Sequence, residues 1–161
     1  MKRKTTDVSI RQALTADDIV VAASLFREYA EWLGFDLCFQ GFDRELAELP
    51  GKYAEPEGRL YLAYLDGEPV GCVGLRPLED NICEMKRLYL RSEARGSGLG
   101  RKLIERLISD AREIGYMAMR LDTYPPKMAA AVKLYYEYGF REIEPYYENP
   151  HSGVLYMELS L

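Results

Sequence analysis

The 161-residue sequence contains few of the residues that bind metal ions or form disulfides, with one histidine and three cysteines. The cysteines, Cys38, Cys72 and Cys83, are an odd number without metal-site spacing, so we expect reduced and mostly buried thiols. The histidine, His151, stands alone in a loop-forming segment and is more typical of a surface residue than of a catalytic base. We therefore expect no metal site and no cysteine nucleophile activated by a histidine.

The sequence also lacks a long apolar run and an excess of positive charge. No stretch of roughly 18 apolar residues is present, so no membrane-spanning segment is predicted. The basic segment 1–4 is not followed by an apolar stretch, which argues against a secretory signal and favours a cytoplasmic protein. The formal net charge is −5, whereas a nucleic-acid-binding protein is expected to carry a basic face. We therefore expect neither a membrane nor a nucleic acid as partner.

What the sequence does contain is the composition of a folded protein, with 48% hydrophobic and 29% charged residues. A chain of this length buries about 70% of the surface that its unfolded form exposes, which is enough for one ordinary core. No internal repeat, low-complexity tract or linker divides the chain. We therefore predict one domain over residues 1–161, with its core at about 8–160.

Hydrophobic periodicity predicts a mixed α/β fold. Strands are predicted at 8–13, 59–65, 69–75, 82–90, 117–122, 141–143 and 154–159. Helices are predicted from a capping box at Thr15 to about Leu33, and at about 43–49, 98–115 and 128–138. The order of these elements is β-α-α-β-β-β-α-β-α-β-β, which places a strand-helix-strand unit at the centre of the sheet.

The sharpest feature is the segment Arg95-Gly96-Ser97-Gly98-Leu99-Gly100, which follows a strand and opens an amphipathic helix. Glycines there let the backbone approach a ligand, and the helix N-terminus favours an anion. The charge supports this, because residues 84–102 hold six basic and two acidic side chains in a chain of net charge −5. The Rossmann and P-loop motifs would both need a glycine at Arg101 and therefore fail. What remains is the pattern R-x-x-G-x-G.

This segment resembles the central loop of the GNAT superfamily of acyl-CoA-dependent N-acetyltransferases, which reads Q/R-x-x-G-x-G/A. A second match follows about 35 residues downstream, where Ala131, Leu134, Tyr135, Gly139 and Phe140 resemble the family's A-x-x-L-Y-x-x-x-G-F pattern. The resemblance covers about 8–159 in element order, and its residue matches concentrate in 84–140. It implies a GNAT-like mixed, mostly antiparallel sheet flanked by helices, with a central β-α-β unit that binds the cofactor.

The resemblance implies acetyl-CoA as co-substrate. The glycine loop would bind the pyrophosphate, and the pantetheine arm would lie along the backbone edge of the fourth strand like an added strand. The cofactor-binding residues carried over are Leu88, Tyr89, Leu90, Arg95, Gly96, Ser97, Gly98, Leu99, Gly100 and Arg101. One position departs from the family pattern, because Met128 stands where many members have an asparagine that touches the cofactor. Asp122 or Thr123 are candidates to replace that contact.

Acetyl transfer to an amine needs a proton acceptor and a group that holds the oxyanion. The resemblance implies Glu84, on the fourth strand, as the general base. A backbone amide near Leu88 would hold the oxyanion. The residue types leave a second interpretation of Glu84 open, in which it is exposed or is an ordinary strand residue paired with Lys86 or Arg87.

The transfer also needs a proton donor for the leaving thiolate, and the resemblance implies Tyr135. Tyr135 lies four residues before Gly139, which is the register of the family motif. Tyr136 is expected to point elsewhere, into packing, because neighbouring helix residues point about 100° apart. The alternative for Tyr135 is an ordinary core aromatic.

The acceptor would enter between the first helices and the last strands, where Trp32, Phe35, Tyr146 and Tyr147 are the candidate contacts. Aromatic rings there could hold a cationic amine, although Trp32 and Phe35 could equally pack the helix end. The predicted function is transfer of an acetyl group from acetyl-CoA to a primary amine of a small molecule or peptide, by direct attack in a ternary complex. A non-catalytic acyl-CoA sensor and an interaction module on the same fold are the alternatives. Monomer and homodimer are both open.

Overall fold

The computed structural model describes residues 6–34, 37 and 41–161, and in these residues the predicted order of elements is confirmed. The strands are β1 Val8–Gln12, β2 Arg59–Leu65, β3 Glu68–Glu79, β4 Ile82–Leu90, β5 Ala118–Thr123, β6 Arg141–Ile143 and β7 Leu155–Ser160. The α-helices are α1 Ala16–Leu33, α2 Phe42–Glu48, α3 Leu99–Ile114 and α4 Pro125–Tyr138. None of the described helices is long and apolar enough to cross a membrane.

The described strands form one seven-stranded sheet in the order β1-β2-β3-β4-β5-β7-β6. All neighbouring strands are antiparallel except β4 and β5, which run parallel. This parallel pair is joined only at residues 82–84 of β4, opposite residues 118–120 of β5. Beyond Glu84 the two strands diverge, so the sheet opens into a split at its centre. The predicted mixed, mostly antiparallel sheet is therefore confirmed.

Local sequence explains where the first helix begins and ends. Thr15 is the N-cap of α1, and its side chain and that of Asp18 form the predicted capping box with each other's backbone amides. Gly34 ends the helix in the left-handed conformation (φ 76°), which glycine adopts without steric cost. These two signals fix the ends of α1, and its last residue, Leu33, lies at the split.

Two boundaries differ from the prediction by more than one residue. β3 continues to Glu79 because Arg76 and Pro77 still pair with β4, and a register shift after Pro77 accommodates the proline. α4 begins at Pro125 rather than at Met128, since a proline in the first helical turn needs no amide partner. The helix is kinked at Met128, whose backbone angles (φ −118°, ψ 26°) are not helical.

The core lies on both faces of the sheet. On one face, α3 packs an apolar stripe that includes Leu99, Leu103, Ile104 and Leu107, all fully buried. On the other face, α1 and α2 pack a second cluster around Phe26.

A β-bulge distorts β4 at the start of the split. The register between β3 and β4 shifts between Cys72, which pairs with Tyr89, and Gly74, which pairs with Lys86. One residue of β3 therefore faces two of β4, and one of these, Arg87, has a positive φ of 61°. A bulge disrupts the ladder locally and re-aims side chains. Here it lies in the segment for which we predicted an oxyanion contact.

The two described cysteines are free and buried, as expected. Cys72 donates its thiol hydrogen to the backbone carbonyl of Arg87 at 3.3 Å. Cys38 lies outside the described residues.

Candidate active site

A cleft of about 560 Å³ opens between β4, the loop after it and the start of α4. Eight of the ten predicted cofactor residues line it: Leu88, Tyr89, Leu90, Arg95, Gly96, Gly98, Gly100 and Arg101. Ser97 and Leu99 do not line it. The Ser97 hydroxyl is turned into its own loop, where it bonds the Ala94 carbonyl, and the Leu99 side chain is fully buried in the core.

The glycine loop presents the start of α3 to this cleft. Gly96 and Gly98 both have left-handed backbone angles (φ 81° and 87°), which side chains adopt at a cost. Gly98 is the N-cap of α3 and has no side chain to cap the helix, while the Ser97 hydroxyl accepts from the first helical amide, that of Leu99, at 3.3 Å. The positive end of the α3 dipole therefore faces the cleft, which is the arrangement that binds phosphate groups.

The charged side chains that line the cleft among residues 6–34, 37 and 41–161 are all cations, namely Arg95, Arg101 and Lys127. Arg101 is half-exposed and forms an ion pair with Glu137 at 2.7 Å. The Arg95 guanidinium lies 5.1 Å from the centre of the Trp32 ring. The cleft therefore offers positive charge to an anionic ligand, in agreement with the local excess of basic residues in the sequence.

A second, much smaller cavity of about 30 Å³ lies at the opening of the split. It has room for one or two water-sized groups. Residues 85–87 of β4 line it, and residues 88–90 of the same strand line the large cleft, so the two spaces follow each other along β4. Its polar lining comes from Lys86, Asp122, Thr123 and Asn149 among others.

Asp122 is held in this small cavity by a cation and a phenol. Its carboxylate accepts hydrogen bonds from Lys86 Nζ at 3.1 Å and from Tyr147 Oη at 2.6 Å. Burial favours the neutral acid, but Lys86, the Tyr147 hydrogen bond and Arg87 together hold the pKa of Asp122 below its ordinary value. Asp122 is therefore a carboxylate at neutral pH.

Thr123, the next residue of β5, carries a polar group that no described residue satisfies. The residue is 7% exposed and lines the small cavity. Its hydroxyl is buried and has no hydrogen-bond partner among the described residues. An unsatisfied buried hydroxyl is costly in a folded protein, so its presence in a cavity wall indicates a place for a ligand or a water molecule.

Glu84, the predicted general base, does not face either of the two spaces in which a substrate could bind. It is 1% exposed and lines neither cavity. One carboxylate oxygen accepts from Arg76 at 2.9 Å and the other from Tyr146 Oη at 2.5 Å. The alternative pairing with Lys86 or Arg87 is wrong, as is the alternative of an exposed side chain. The register of β3 against β4 places Arg76 opposite Glu84.

The two neighbouring cations instead bind other carboxylates. Lys86 pairs with Asp122 across the split, and the buried Arg87 makes two hydrogen bonds to Glu45 of α2, at 2.9 and 3.0 Å. Burial would lower the pKa of Arg87, but Glu45 raises it above its ordinary value, so the guanidinium stays charged. The buried charges near the split are thus matched in pairs.

Tyr146 and Tyr147 connect the segment between β6 and β7 to both carboxylates. Tyr146 donates to Glu84 on β4, and Tyr147 donates to Asp122 on β5. Their rings pack edge to face, with centres 5.4 Å apart. These two predicted acceptor contacts therefore lie at the base of the split, each bonded to a carboxylate.

The other two predicted acceptor contacts do not join them. Trp32, at the end of α1, lines the large cleft and not the small cavity. Phe35 lies outside the described residues.

Tyr135 points inward from α4 and Tyr136 points outward. Tyr135 is 3% exposed and packs against Phe140, with ring centres 5.5 Å apart, and it lines neither cavity. Burial, and then nearby Tyr29 and Asp122, raise the pKa of Tyr135, so its hydroxyl stays protonated at neutral pH. Tyr136 is 45% exposed, so the expectation that it packs inside is wrong.

Sequence reasoning missed the roles of Arg76 and Lys86, although a signal for Lys86 was present. Residues 84–87 of β4 include three charged side chains in a strand that is buried on both faces. Such charges are placed inside a protein only when they are paired or bind something.

No group of three or more histidine, cysteine, aspartate or glutamate side chains in the described part of the chain could hold a metal ion.

Comparison with known proteins agrees with this architecture. The model of the acetyltransferase (GNAT) family matches residues 23–140. An uncharacterised N-acetyltransferase of Schizosaccharomyces pombe is 39% identical over 160 residues, which cover 98% of each chain. A GNAT-family acetyltransferase of Staphylococcus aureus Mu50 superposes with a TM-score of 0.78 at 20% identity, over 96% of this chain and 99% of that one. The PaiA N-acetyltransferase of Thermoplasma acidophilum, solved with coenzyme A, gives a TM-score of 0.71 at 20% identity, over 96% and 99%.

A sheet that splits between two parallel strands, with a phosphate-type glycine loop at the end of the first strand, defines an acyl-transferring enzyme. The chain belongs to the GNAT family of acetyltransferases, and the resemblance seen in its sequence is confirmed.

Proposed function

We propose that the protein transfers an acetyl group from acetyl-CoA to a primary amine of a small molecule or peptide, by direct attack in a ternary complex. The observation that carries this proposal is the succession of spaces along β4. A cleft whose charged side chains, as far as the structure describes them, are all cations is followed along β4 by a small polar cavity at the split. The first suits a nucleotide-type cofactor, and the second has the size of an amino group. The coenzyme A complex of the Thermoplasma structure supports the cofactor assignment.

In this proposal the glycine loop binds the pyrophosphate through the first amides of α3. The pantetheine arm follows residues 88–90 of β4, whose neighbour β5 has already diverged. This backbone edge has no strand on that side and can accept an extended ligand. The bulge at Arg87 and Leu88 lies where the thioester would arrive, and a backbone amide near Leu88 holds the oxyanion.

Glu84 accepts the proton of the amine, and Tyr135 returns a proton to the thiolate. Because Arg76 and Tyr146 occupy the two oxygens of Glu84, the proton reaches the carboxylate by way of the Tyr146 hydroxyl or a water molecule. Tyr135 is supported as the donor by its register to Gly139 and by its inward position on α4; its raised pKa counts against it, since a weaker acid gives up its proton at greater cost.

Asp122 is a second candidate for the proton acceptor, and one observation favours it. Unlike Glu84, it lines the small cavity at the split. Its depressed pKa counts against it, since a weak base accepts a proton from an ammonium group at greater cost. Variants of the two carboxylates therefore separate the assignments.

The test of the proposed function is a broad screen of primary amines with acetyl-CoA, monitored by release of the coenzyme A thiol. Amine-dependent thiol release, with an acetylated product confirmed by mass spectrometry, supports the proposal. Tight coenzyme A binding without acetylation of any amine would favour a sensor instead. A protein that binds no coenzyme A would be an interaction module on this fold.

A further inference from the structure

Trp32 lies at the rim of the large cleft and carries two cations on its ring. Arg95, from the glycine loop, has its guanidinium carbon 5.1 Å from the centre of the indole. Lys127, from the first turn of α4, has its ammonium nitrogen 5.6 Å from the same centre. The loop and α4 are different walls of the cleft, so the indole of α1 bridges two walls through their cations.

Neither cation has a carboxylate partner in the described part of the chain. This distinguishes them from neighbouring basic residues, since Arg91 pairs with Glu28 at 2.5 Å and Arg101 pairs with Glu137 at 2.7 Å. The Lys127 ammonium donates instead to the backbone carbonyl of Trp32, in the last turn of α1. That carbonyl belongs to the negative end of a helix dipole, which holds a cation without neutralising it.

Two like charges that share one ring, in a cleft whose described lining includes no acidic residue, repel each other. A dianion between them would remove this repulsion and replace weak contacts to the ring by charge-assisted hydrogen bonds. The glycine loop beside Arg95 already presents the start of α3 to an anion. The position of the missing charge is therefore between the loop and the first turn of α4.

We propose that Lys127 joins Arg95 of the glycine loop in binding the pyrophosphate of acetyl-CoA, each from its own wall of the cleft, with Trp32 holding both side chains in place before the cofactor arrives. This inference rests on the proposed function, because it names further residues of the same cofactor site. In the free protein the two cations lie on the indole. In the complex they turn to the phosphates, and the indole loses both of them.

The test uses the fact that Trp32 is the only tryptophan in the chain. Its fluorescence is followed while coenzyme A is added to the wild-type protein, to Lys127→Met, to Arg95→Met and to Lys133→Met. Lys133 is the matched control, because it is an exposed lysine of the same helix that does not line the cleft. Lys127 and Arg95 are also exposed, so all three variants are expected to fold, and thermal melting checks this.

We expect a saturable fluorescence change in the wild type, and affinity about tenfold lower in Lys127→Met and in Arg95→Met. The affinity of these two variants should also depend less on salt, because fewer charges meet the ligand. Lys133→Met should bind like the wild type. Wild-type affinity in Lys127→Met, or an equal loss in the control, would overturn the inference while leaving the proposed function intact.

A second titration with 3′-dephospho-coenzyme A identifies the phosphate group. If Lys127 meets the pyrophosphate, Lys127→Met loses about the same factor with this ligand as with coenzyme A. If the loss disappears, Lys127 contacts the 3′-phosphate and the inference is wrong. If the wild-type protein binds neither ligand, the proposed function itself fails.

Discussion

Replacing Glu84 by glutamine keeps the shape of the side chain and removes its charge, in a place where that charge is fully buried. Arg76 loses a carboxylate partner at 2.9 Å and retains only Glu45, at 3.6 Å. Tyr146 keeps an acceptor, though a neutral one. Breaking a buried ion pair costs about 3–5 kcal/mol. Because Arg76 is partly exposed and keeps one partner, we expect the free energy of unfolding to fall by about 2–3 kcal/mol.

This loss should be visible as a lower melting temperature. For a domain of this size, 1 kcal/mol shifts the midpoint by about 2–4 °C, so Glu84→Gln should melt roughly 5–10 °C below the wild type. The protein should still be folded at 25 °C, where turnover is measured. If Glu84 accepts the amine proton, turnover at pH 7 should fall about 100-fold. The deficit should shrink as pH rises toward about 10, where an alkyl amine loses its proton unaided.

The control is Asp110→Asn, which removes a buried carboxylate of α3 that bonds Tyr61 and lies 3.8 Å from Arg59. It should lower the melting temperature but leave the pH dependence of turnover as in the wild type, because a residue that only stabilises the fold does not change that dependence. Equal activity losses in both variants at every pH would show that Glu84 only supports the fold. Wild-type turnover of Glu84→Gln at pH 7 would transfer the role to Asp122, which Asp122→Asn then tests.

Three further changes test other parts of the site. Gly100→Asp should lower acetyl-CoA affinity at least tenfold by calorimetry, about 1.4 kcal/mol. The fold should persist, because a Cβ at this position meets only ordinary contacts at 3.6 and 3.9 Å and an acidic residue suits the first turn of a helix. Unchanged affinity would contradict the assignment of the glycine loop to the cofactor. Tyr135→Phe should slow turnover under saturating acetyl-CoA, and Tyr136→Phe should stay within a few fold of the wild type. The Tyr135 contribution should persist into alkaline pH, since its raised pKa keeps the donor protonated. Thr123→Val should melt no lower than the wild type yet transfer acetyl groups more slowly, whereas Thr123→Ser keeps activity; a Thr123→Val enzyme with full activity would show that the hydroxyl meets only water.

The sequence predicts the fold well where the signal is local. Thr15 and Gly34 bracket α1 by chemistry that acts within one turn, and the glycine loop is recognised because its conformation depends on its own residues. The start of α4 was predicted too late because Pro125 and Pro126 were interpreted as a break in the chain, whereas proline is tolerated in the first turn of a helix. Local signals therefore set the elements, with errors of a few residues at their ends.

The pairing of charges could not be predicted in the same way, because it depends on contacts between strands. Glu84 meets Arg76 through the register of β3 against β4, and Lys86 meets Asp122 across a split whose width no single segment encodes. The bulge at Arg87 shifts that register by one residue and changes which side chains face the split. Charged residues in a buried strand indicate that partners exist, but only the tertiary structure identifies them.

The short ladder between β4 and β5 has a mechanical consequence. Only residues 82–84 of β4 pair with β5, although β4 is nine residues long. In the sheet, the part built from β5, β6 and β7 is therefore joined to the other strands along a seam of about one-third of the length of β4. Amide hydrogens along such a seam exchange with solvent through partial opening, before the whole protein unfolds. A molecule bound across the split would contact both parts of the sheet and stabilise their association. Occupancy of the site should therefore slow exchange in β5 more than in β2, far from the seam, and raise the melting temperature with ligand concentration.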